Sequence, residues 1–184
     1  KLINLVKCVP AKIDYDKELD LIVLDSETRL YWVSNIRGTS SQFNHQFISK
    51  SKLLDFVLQG DSNDPDNFFI LGLNSSGKKI LEFNSSINKL NNSLLWTETV
   101  LFDLDDSQNN GISLIDPTIK SINLYPVSSK KQYLFFTITD FLGYNNIVKI
   151  SLNNQNVENF SMISVNSKVN LIGGFRSEEH TSEL

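Results

Sequence analysis

The apolar residues of this sequence come in short runs, and nearly every run is fenced by asparagine, serine, glycine or aspartate. Ile, Leu, Val and Phe recur in stretches of about four to eight residues, the length and composition of strands rather than helices. The 184 residues include one alanine, Ala11, against 21 asparagines. Alanine is the best helix former, and asparagine prefers turns and caps. No window sustains apolar residues at i, i+3, i+4 and i+7 over three turns. The sequence therefore predicts an all-β chain.

Three hairpins are predicted. Leu19–Asp25 enters a Ser26-Glu27-Thr28 turn and returns as Arg29–Asn35. Asn67–Asn74 enters a Ser75-Ser76-Gly77 turn and returns as Lys79–Asn84. Gln132–Thr139 turns through Gly143 and returns as Asn146–Asn153. In each, the first strand is a near-continuous apolar run and the second alternates, through Leu30 and Trp32, Ile80 and Glu82, Val148 and Ile150. The first is expected to be buried on both faces and the second on one.

A shorter apolar segment precedes each hairpin, at Leu5–Val9, Leu53–Leu58 and Ile119–Leu124. Another follows each, at Gln42–Ile48, Leu94–Phe102 and Phe160–Val165. Four strands per unit, repeated about every 40–50 residues, is the signature of propeller blades. The expected architecture is all-β, with antiparallel four-stranded blades forming a partial, about three-blade, β-propeller fragment over residues 1–175. Its units are about 1–50, 51–105 and 112–166, and 169–175 starts a fourth. A plain antiparallel β-sandwich is the alternative. Three units do not close a ring of 4–8 blades, so an open arc with raw strand edges is expected.

The ends differ from the rest. Leu2–Val6 is too short for a signal-peptide core and is broken by Asn4. Arg176–Leu184 resembles the in-frame translation of a short-read sequencing adapter. It holds three Glu and no Asn, so 176–184 is read as a non-native tail, and the natural protein is expected to be longer.

Composition narrows the function classes. At 40% hydrophobic and 21% charged residues, the chain suits a globular core rather than a disordered one. A net charge of -4 and a pI near 5.2 lack the basic excess of nucleic-acid binders, so no direct sequence-specific nucleic-acid binding is expected. No run approaches the ~18 apolar residues of a membrane span, and no membrane partner is expected. One cysteine, Cys8, makes no internal disulfide and no cysteine zinc site.

The chemistry-bearing residues are few. With the tail set aside, His45 is the one histidine. It lies in Ser41–Phe47, which alternates like an edge strand, and is read as an exposed polar residue rather than a general base. Cys8 is read as a small core residue. There is no Gly-x-Ser-x-Gly elbow, phosphate loop or dinucleotide fingerprint. Asp103–Gly111 offers alternate oxygen ligands through Asp105, Ser107, Asn109 and Asp116. Its bend position holds Asn110 rather than glycine, and in Asp61–Asp66 Pro65 takes a ligand slot, so both are read as solvated turns rather than calcium loops. The sequons at Asn74, Asn84, Asn91 and Asn159 match chance for a chain this rich in Asn and Ser. Trp32, Phe68, Phe69, Trp96, Phe102, Phe135 and Phe136 are expected to fill the core between blades. Lys78-Lys79 and Lys130-Lys131 are expected to keep turns soluble. Catalytic, cofactor and metal residues are therefore each expected to number none.

One resemblance goes further. Lys52-Leu-Leu-Asp-Phe56, Phe68-Phe-Ile-Leu71, Leu94-Leu-Trp-Thr97 with Asp103–Asp106, and Tyr133-Leu-Phe-Phe136 follow one another as similar pieces do in the β-propeller subunit of the fungal RNA polymerase I core factor. The resemblance covers about residues 19–152 and rests on hydrophobic pattern and order. A histidine that often follows the tryptophan in that family is replaced here by Thr97-Glu98. The resemblance implies a WD40-like, non-enzymatic scaffold with protein partners, nuclear or nucleolar and otherwise intracellular, that helps load the polymerase at ribosomal DNA promoters. The alternative is a secreted or surface propeller binding calcium or glycan, or the non-catalytic propeller of a larger hydrolase. Such surface proteins are commonly disulfide-bonded, which the lone cysteine disfavours.

Overall fold

A computed structural model describes residues 4–13, 19–34, 44–60, 68–88, 93–106, 114–126, 131–153 and 156–165. The described residues hold twelve strands and no helix. Strands β1 (Leu5–Ala11), β2 (Asp20–Asp25), β3 (Leu30–Ser34) and β4 (Asn44–Phe47) form the first sheet. Strands β5 (Leu53–Gly60), β6 (Phe68–Asn74), β7 (Lys79–Asn88) and β8 (Ser93–Asp103) form the second. Strands β9 (Thr118–Pro126), β10 (Lys131–Thr139), β11 (Asn145–Asn153) and β12 (Asn156–Val165) form the third. Each sheet is an antiparallel meander whose strands lie side by side in chain order. The three hairpins read from the sequence are the central pairs β2–β3, β6–β7 and β10–β11. Pro10 and Pro126 lie in edge strands, where a missing N–H breaks no ladder.

The sheets follow one another as layers. Ile22, Leu24 and Leu30 of the first sheet pack against Phe56, Phe68, Ile70, Leu81 and Phe83 of the second, with Trp32 and Trp96 at the margin. The other face of the second sheet, through Leu71, Leu73, Ile80 and Phe102, meets Ile122, Leu134, Phe136, Ile138 and Val148 of the third. The second sheet is thus covered on both sides.

That position corrects the expected burial. The apolar strands β2 and β6 are covered on both faces. In β7, read as one-sided, Ile80, Leu81, Glu82 and Phe83 are all buried, because the sheet has a neighbour on each side. In β10, read as two-sided, Leu134, Phe136 and Ile138 are buried while Tyr133, Phe135 and Thr137 alternate with them at half burial. Phe135, expected to fill the core between blades, stands at half burial on the face of β10 turned away from the second sheet. Cys8, read as a core residue, is exposed: it lies opposite Val23, on the face of the first sheet turned away from the second. Residues 169–175, the tail 176–184, the candidate calcium positions Ser107 and Asn109, the segment Asp61–Asp66, and Asn91 lie outside the described residues.

Candidate functional site

The most repetitive chemistry in the molecule is at the hairpin turns. Each turn opens on an Asx residue whose side-chain oxygen accepts backbone N–H groups further on. Asp25 Oδ1 accepts from Glu27 N and Arg29 N at 2.9 Å each. Asn74 Oδ1 accepts from Lys78 N at 3.0 Å and Lys79 N at 2.9 Å. Asp140 Oδ1 accepts from Tyr144 N at 2.9 Å. Asp and Asn do this because a short polar side chain mimics a backbone turn. In each turn one residue has positive φ: Thr28 at 66°, Gly77 at 68° and Gly143 at 84°.

The positive-φ carbonyls link one sheet to the next. Leu53 N donates to Thr28 O at 2.8 Å, and Ile119 N donates to Gly77 O at 2.7 Å. Both donors stand at the start of a sheet's first strand, and both are buried. The register slips by one residue just after each of them, leaving Leu54 and Lys120 as bulged residues, and the same slip follows Leu5 in β1. Leu5 and Leu53 both pair with the Asx residue that opens the turn, Asp25 and Asn74, whereas Ile119 pairs with Ile138, two residues before Asp140; what Leu53 and Ile119 share is the bond to the preceding turn and the bulge that follows. A bulge adds twist and turns a strand start aside, which here delivers an N–H to the neighbouring turn.

Polar bridges reinforce the first junction. Glu98 Oε2 accepts from Lys50 N at 3.1 Å and Ser51 N at 3.4 Å, and Glu98 Oε1 accepts from the Ser51 hydroxyl. Lys7 Nζ donates to Asp55 Oδ1 at 2.7 Å and to Phe56 O at 2.6 Å, and Gln46 Nε2 donates to Leu94 O at 2.9 Å. At the second junction Lys78 Nζ donates to Asp116 Oδ1 at 2.8 Å and Pro117 O at 2.6 Å. Lys78, expected only to keep its turn soluble, is thus also an inter-sheet strut.

The titratable groups serve the same framework. The Asp25 carboxylate, 1% exposed, pairs with the Arg29 guanidinium at 2.7 Å and accepts from Tyr31 Oη at 3.0 Å. Burial alone raises its pKa. The hydrogen bonds from the Arg29 backbone and side chain and from Tyr31, with the Arg29 charge, outweigh burial and hold the carboxyl below the usual range. Burial, and then Asp25, push the Tyr31 phenol up. Hydrogen bonding to Lys79 lowers Asp103, and Lys78 lowers Asp116. Two carboxylates considered for calcium are thus each engaged by a lysine.

His45 and Cys8 are not brought together. His45 sits exposed on the edge strand β4, its ring 6.3 Å from that of Tyr31. Cys8 is on β1, the opposite edge of the same sheet. Three strand spacings, about 14 Å, separate the two edges, too far for a thiol–imidazole pair. Partial dehydration raises the Cys8 thiol, the wrong direction for an activated nucleophile. Among the described residues no three His, Cys, Asp or Glu side chains form a metal-holding group, and no helix is long and apolar enough to cross a membrane.

Exposed apolar side chains gather at the third turn, where Phe141, Leu142 and Tyr144 stand beside Ile115, whose carbonyl accepts from Phe141 N; the outward face of the first sheet is mostly self-covered. Register places Cys8, Val23, Tyr31 and Phe47 in one row across it, and Pro10, Leu21, Val33 and His45 in the next. Phe47 is 54% exposed and stacks on Tyr31 at 4.7 Å. Comparison of the chain with known protein families, characterised proteins and solved structures gives no match.

Proposed function

We propose that the chain is a stretch of β-propeller acting as a non-enzymatic scaffold for protein partners, in the RNA polymerase I initiation machinery that its order of strand motifs resembles. One observation carries the propeller reading: the repeated unit-to-unit bond, Thr28 O to Leu53 N and Gly77 O to Ile119 N, each donated by the residue just before a bulge in the next sheet's first strand. Successive blades in a propeller are rotated copies, so each junction repeats the contacts of the last. Adjacency of the first strands β5 and β9 suits blades whose first strands approach a common axis. The scaffold reading is supported by where the polar chemistry is spent: the turn carboxylates and lysines hold sheets to turns, and the thiol and imidazole are far apart. What remains for partners is exposed sheet edge and the apolar third turn.

The test is occupancy of the tagged full-length protein on ribosomal DNA. Enrichment at the promoter, with loss of precursor ribosomal RNA synthesis on depletion, is the expected result. Absence from ribosomal DNA together with glycan-dependent gel mobility overturns the transcription role and indicates a secreted protein.

A further inference from the structure

The three hairpin turns share one backbone framework but carry two kinds of surface. Each opens on an Asx residue, and the residue three further on donates its N–H back to that residue's carbonyl: Thr28 to Asp25 at 3.0 Å, Gly77 to Asn74 at 2.9 Å and Gly143 to Asp140 at 3.0 Å. The residue just after the Asx donates to a carbonyl ahead of its own sheet's first strand: Ser26 N to Asn4 O at 2.8 Å, Ser75 N to Lys52 O at 2.8 Å and Phe141 N to Ile115 O at 2.9 Å. The side chains on this framework differ. The first turn carries Ser26, Glu27 and Arg29 beside Asn4, and the second carries Ser75, Ser76 and Lys78 beside Lys52. The third carries Phe141, Leu142 and Tyr144 beside Ile115. All four positions change from polar to apolar, and all four side chains are exposed, Phe141 by 77% and Ile115 by 67%. Two turns make the same bonds with polar residues, so the fold does not need apolar ones here. An exposed apolar cluster that the fold does not need marks an interaction site.

We propose that the third turn is a docking knob for a partner protein, in which Phe141 and Leu142 seat against a segment that presents apolar side chains flanked by lysine or arginine. This rests on the scaffold reading and names one of its surfaces. A further sheet stacked on the third would leave the knob uncovered: Ser26, Glu27, Ser75 and Ser76 stay exposed although the next sheet is bonded to each of their turns. The surrounding charge sets the sign of the partner. Lys78 Nζ donates to Asp116, the neighbour of Ile115, and Lys78 O accepts from Leu104 N. Asp103, Asp105, Asp106, Asp116 and Asp140 thus gather at this end of the second and third sheets, against Lys78, Lys79 and Lys120. Five carboxylates against three ammonium groups leave two negative charges in excess. That excess repels a second copy of the same knob and an anionic lipid surface, and it attracts a basic segment. Apolar anchors at the centre with charges at the rim are the usual division of labour in a protein interface.

The test is selection of a phage-displayed random peptide library on the full chain, compared with the double variant Phe141→Ser, Leu142→Ser, which installs the serines that the second turn carries at those positions. Since that turn forms with serines, the double variant should keep its urea midpoint. A clear fall in midpoint would mean that the pair holds the fold, and would overturn the proposal. The expected peptides combine aliphatic or aromatic residues with Lys or Arg and bind the double variant about tenfold or more weakly. They bind Asp140→Asn about two- to fivefold more weakly, a variant that keeps the turn because Asn74 makes the same kind of bond in the second one. If the selected peptides bind wild type and double variant alike, this surface fails and the scaffold reading stands; if no peptide is enriched, both fail. Turn-dependent peptides that are acidic or uncharged overturn the basic partner. Turn-dependent binding only to vesicles of phosphatidylcholine, with or without phosphatidylserine, overturns it in favour of a membrane contact, and turn-dependent dimerisation overturns it in favour of a second copy.

Discussion

The middle sheet offers the sharpest energetic test, because two of its residues are pressed together at a defined point. Phe83 is fully buried between the first and second sheets. A Cβ added to Gly72, on the adjacent strand β6, would lie 2.9 Å from Phe83 Cε2 and 2.9 Å from Leu53 Cδ1. Gly72→Ala therefore overpacks the layer, at about 1–3 kcal/mol, less up to about 1 kcal/mol gained by restricting the unfolded chain. Phe83→Ala loses about 1.5–3 kcal/mol of burial. The cavity left against a glycine backbone, which offers no side chain to fill it, raises the total to about 3–5 kcal/mol. For a chain of this size that lowers Tm by about 6–20 °C. In the double variant the new methyl enters the vacated space, so the two losses sum to less than their separate values by about 1 kcal/mol or more; Leu53 is still crowded and keeps the relief partial. Urea denaturation followed by tryptophan fluorescence reads this layer directly, since the two tryptophans, Trp32 and Trp96, both pack against it. Additivity within about 0.3–0.5 kcal/mol, or a Phe83→Ala loss below about 1 kcal/mol, refutes the packing described.

Other expectations follow from the junctions. The folded pKa of Asp25 lies below its unfolded value of about 3.9, so its contribution is present above that pH and is lost as pH falls through the folded value. Asp25→Asn should flatten the fall in urea midpoint between about pH 4 and pH 2; an unchanged slope contradicts the assignment. Asp25→Ala, which strands the Tyr31 hydroxyl and two backbone N–H groups, should cost about 1–3 kcal/mol at neutral pH, measured by the same titration. Glu98→Ala should speed amide exchange at Lys50 and Ser51 by about tenfold or more, one hydrogen bond's worth of local protection, without altering exchange in the third sheet. Cys8 should titrate as one accessible thiol in the native protein but react more slowly at neutral pH than a free cysteine. A thiol seen only after denaturation contradicts its exposure.

Hairpin positions were legible because strand period and turn chemistry are local: Gly77, Gly143 and the Asx residues mark the turns in the sequence itself. Burial was less legible because it depends on neighbours. Glu82 looks like the solvent side of β7, yet it is buried, since a third sheet covers that face and Asn84 Nδ2 donates to its carboxylate at 2.7 Å. Phe135 looks like core and stands at half burial, on the face of β10 turned away from the second sheet. The junction bonds left almost no trace, being backbone to backbone. Thr28 actively hides one of them, since a β-branched residue is disfavoured at positive φ. Of the chemistry-bearing residues, the edge-strand placement of His45 was readable from alternation. The exposure of Cys8 was not, because an apolar stretch at the edge of a first sheet looks like any core strand.

The two inter-sheet bonds join the sheets into one stack, and native-state amide exchange of Leu53 and Ile119 measures them. Each amide begins an edge strand and would exchange freely in a separate hairpin. The stacked arrangement predicts that both are protected as strongly as the interiors of β5 and β9, because the preceding turn accepts them. Exchange at either amide as fast as in an unstructured chain would mean that the sheets do not lean on one another's turns.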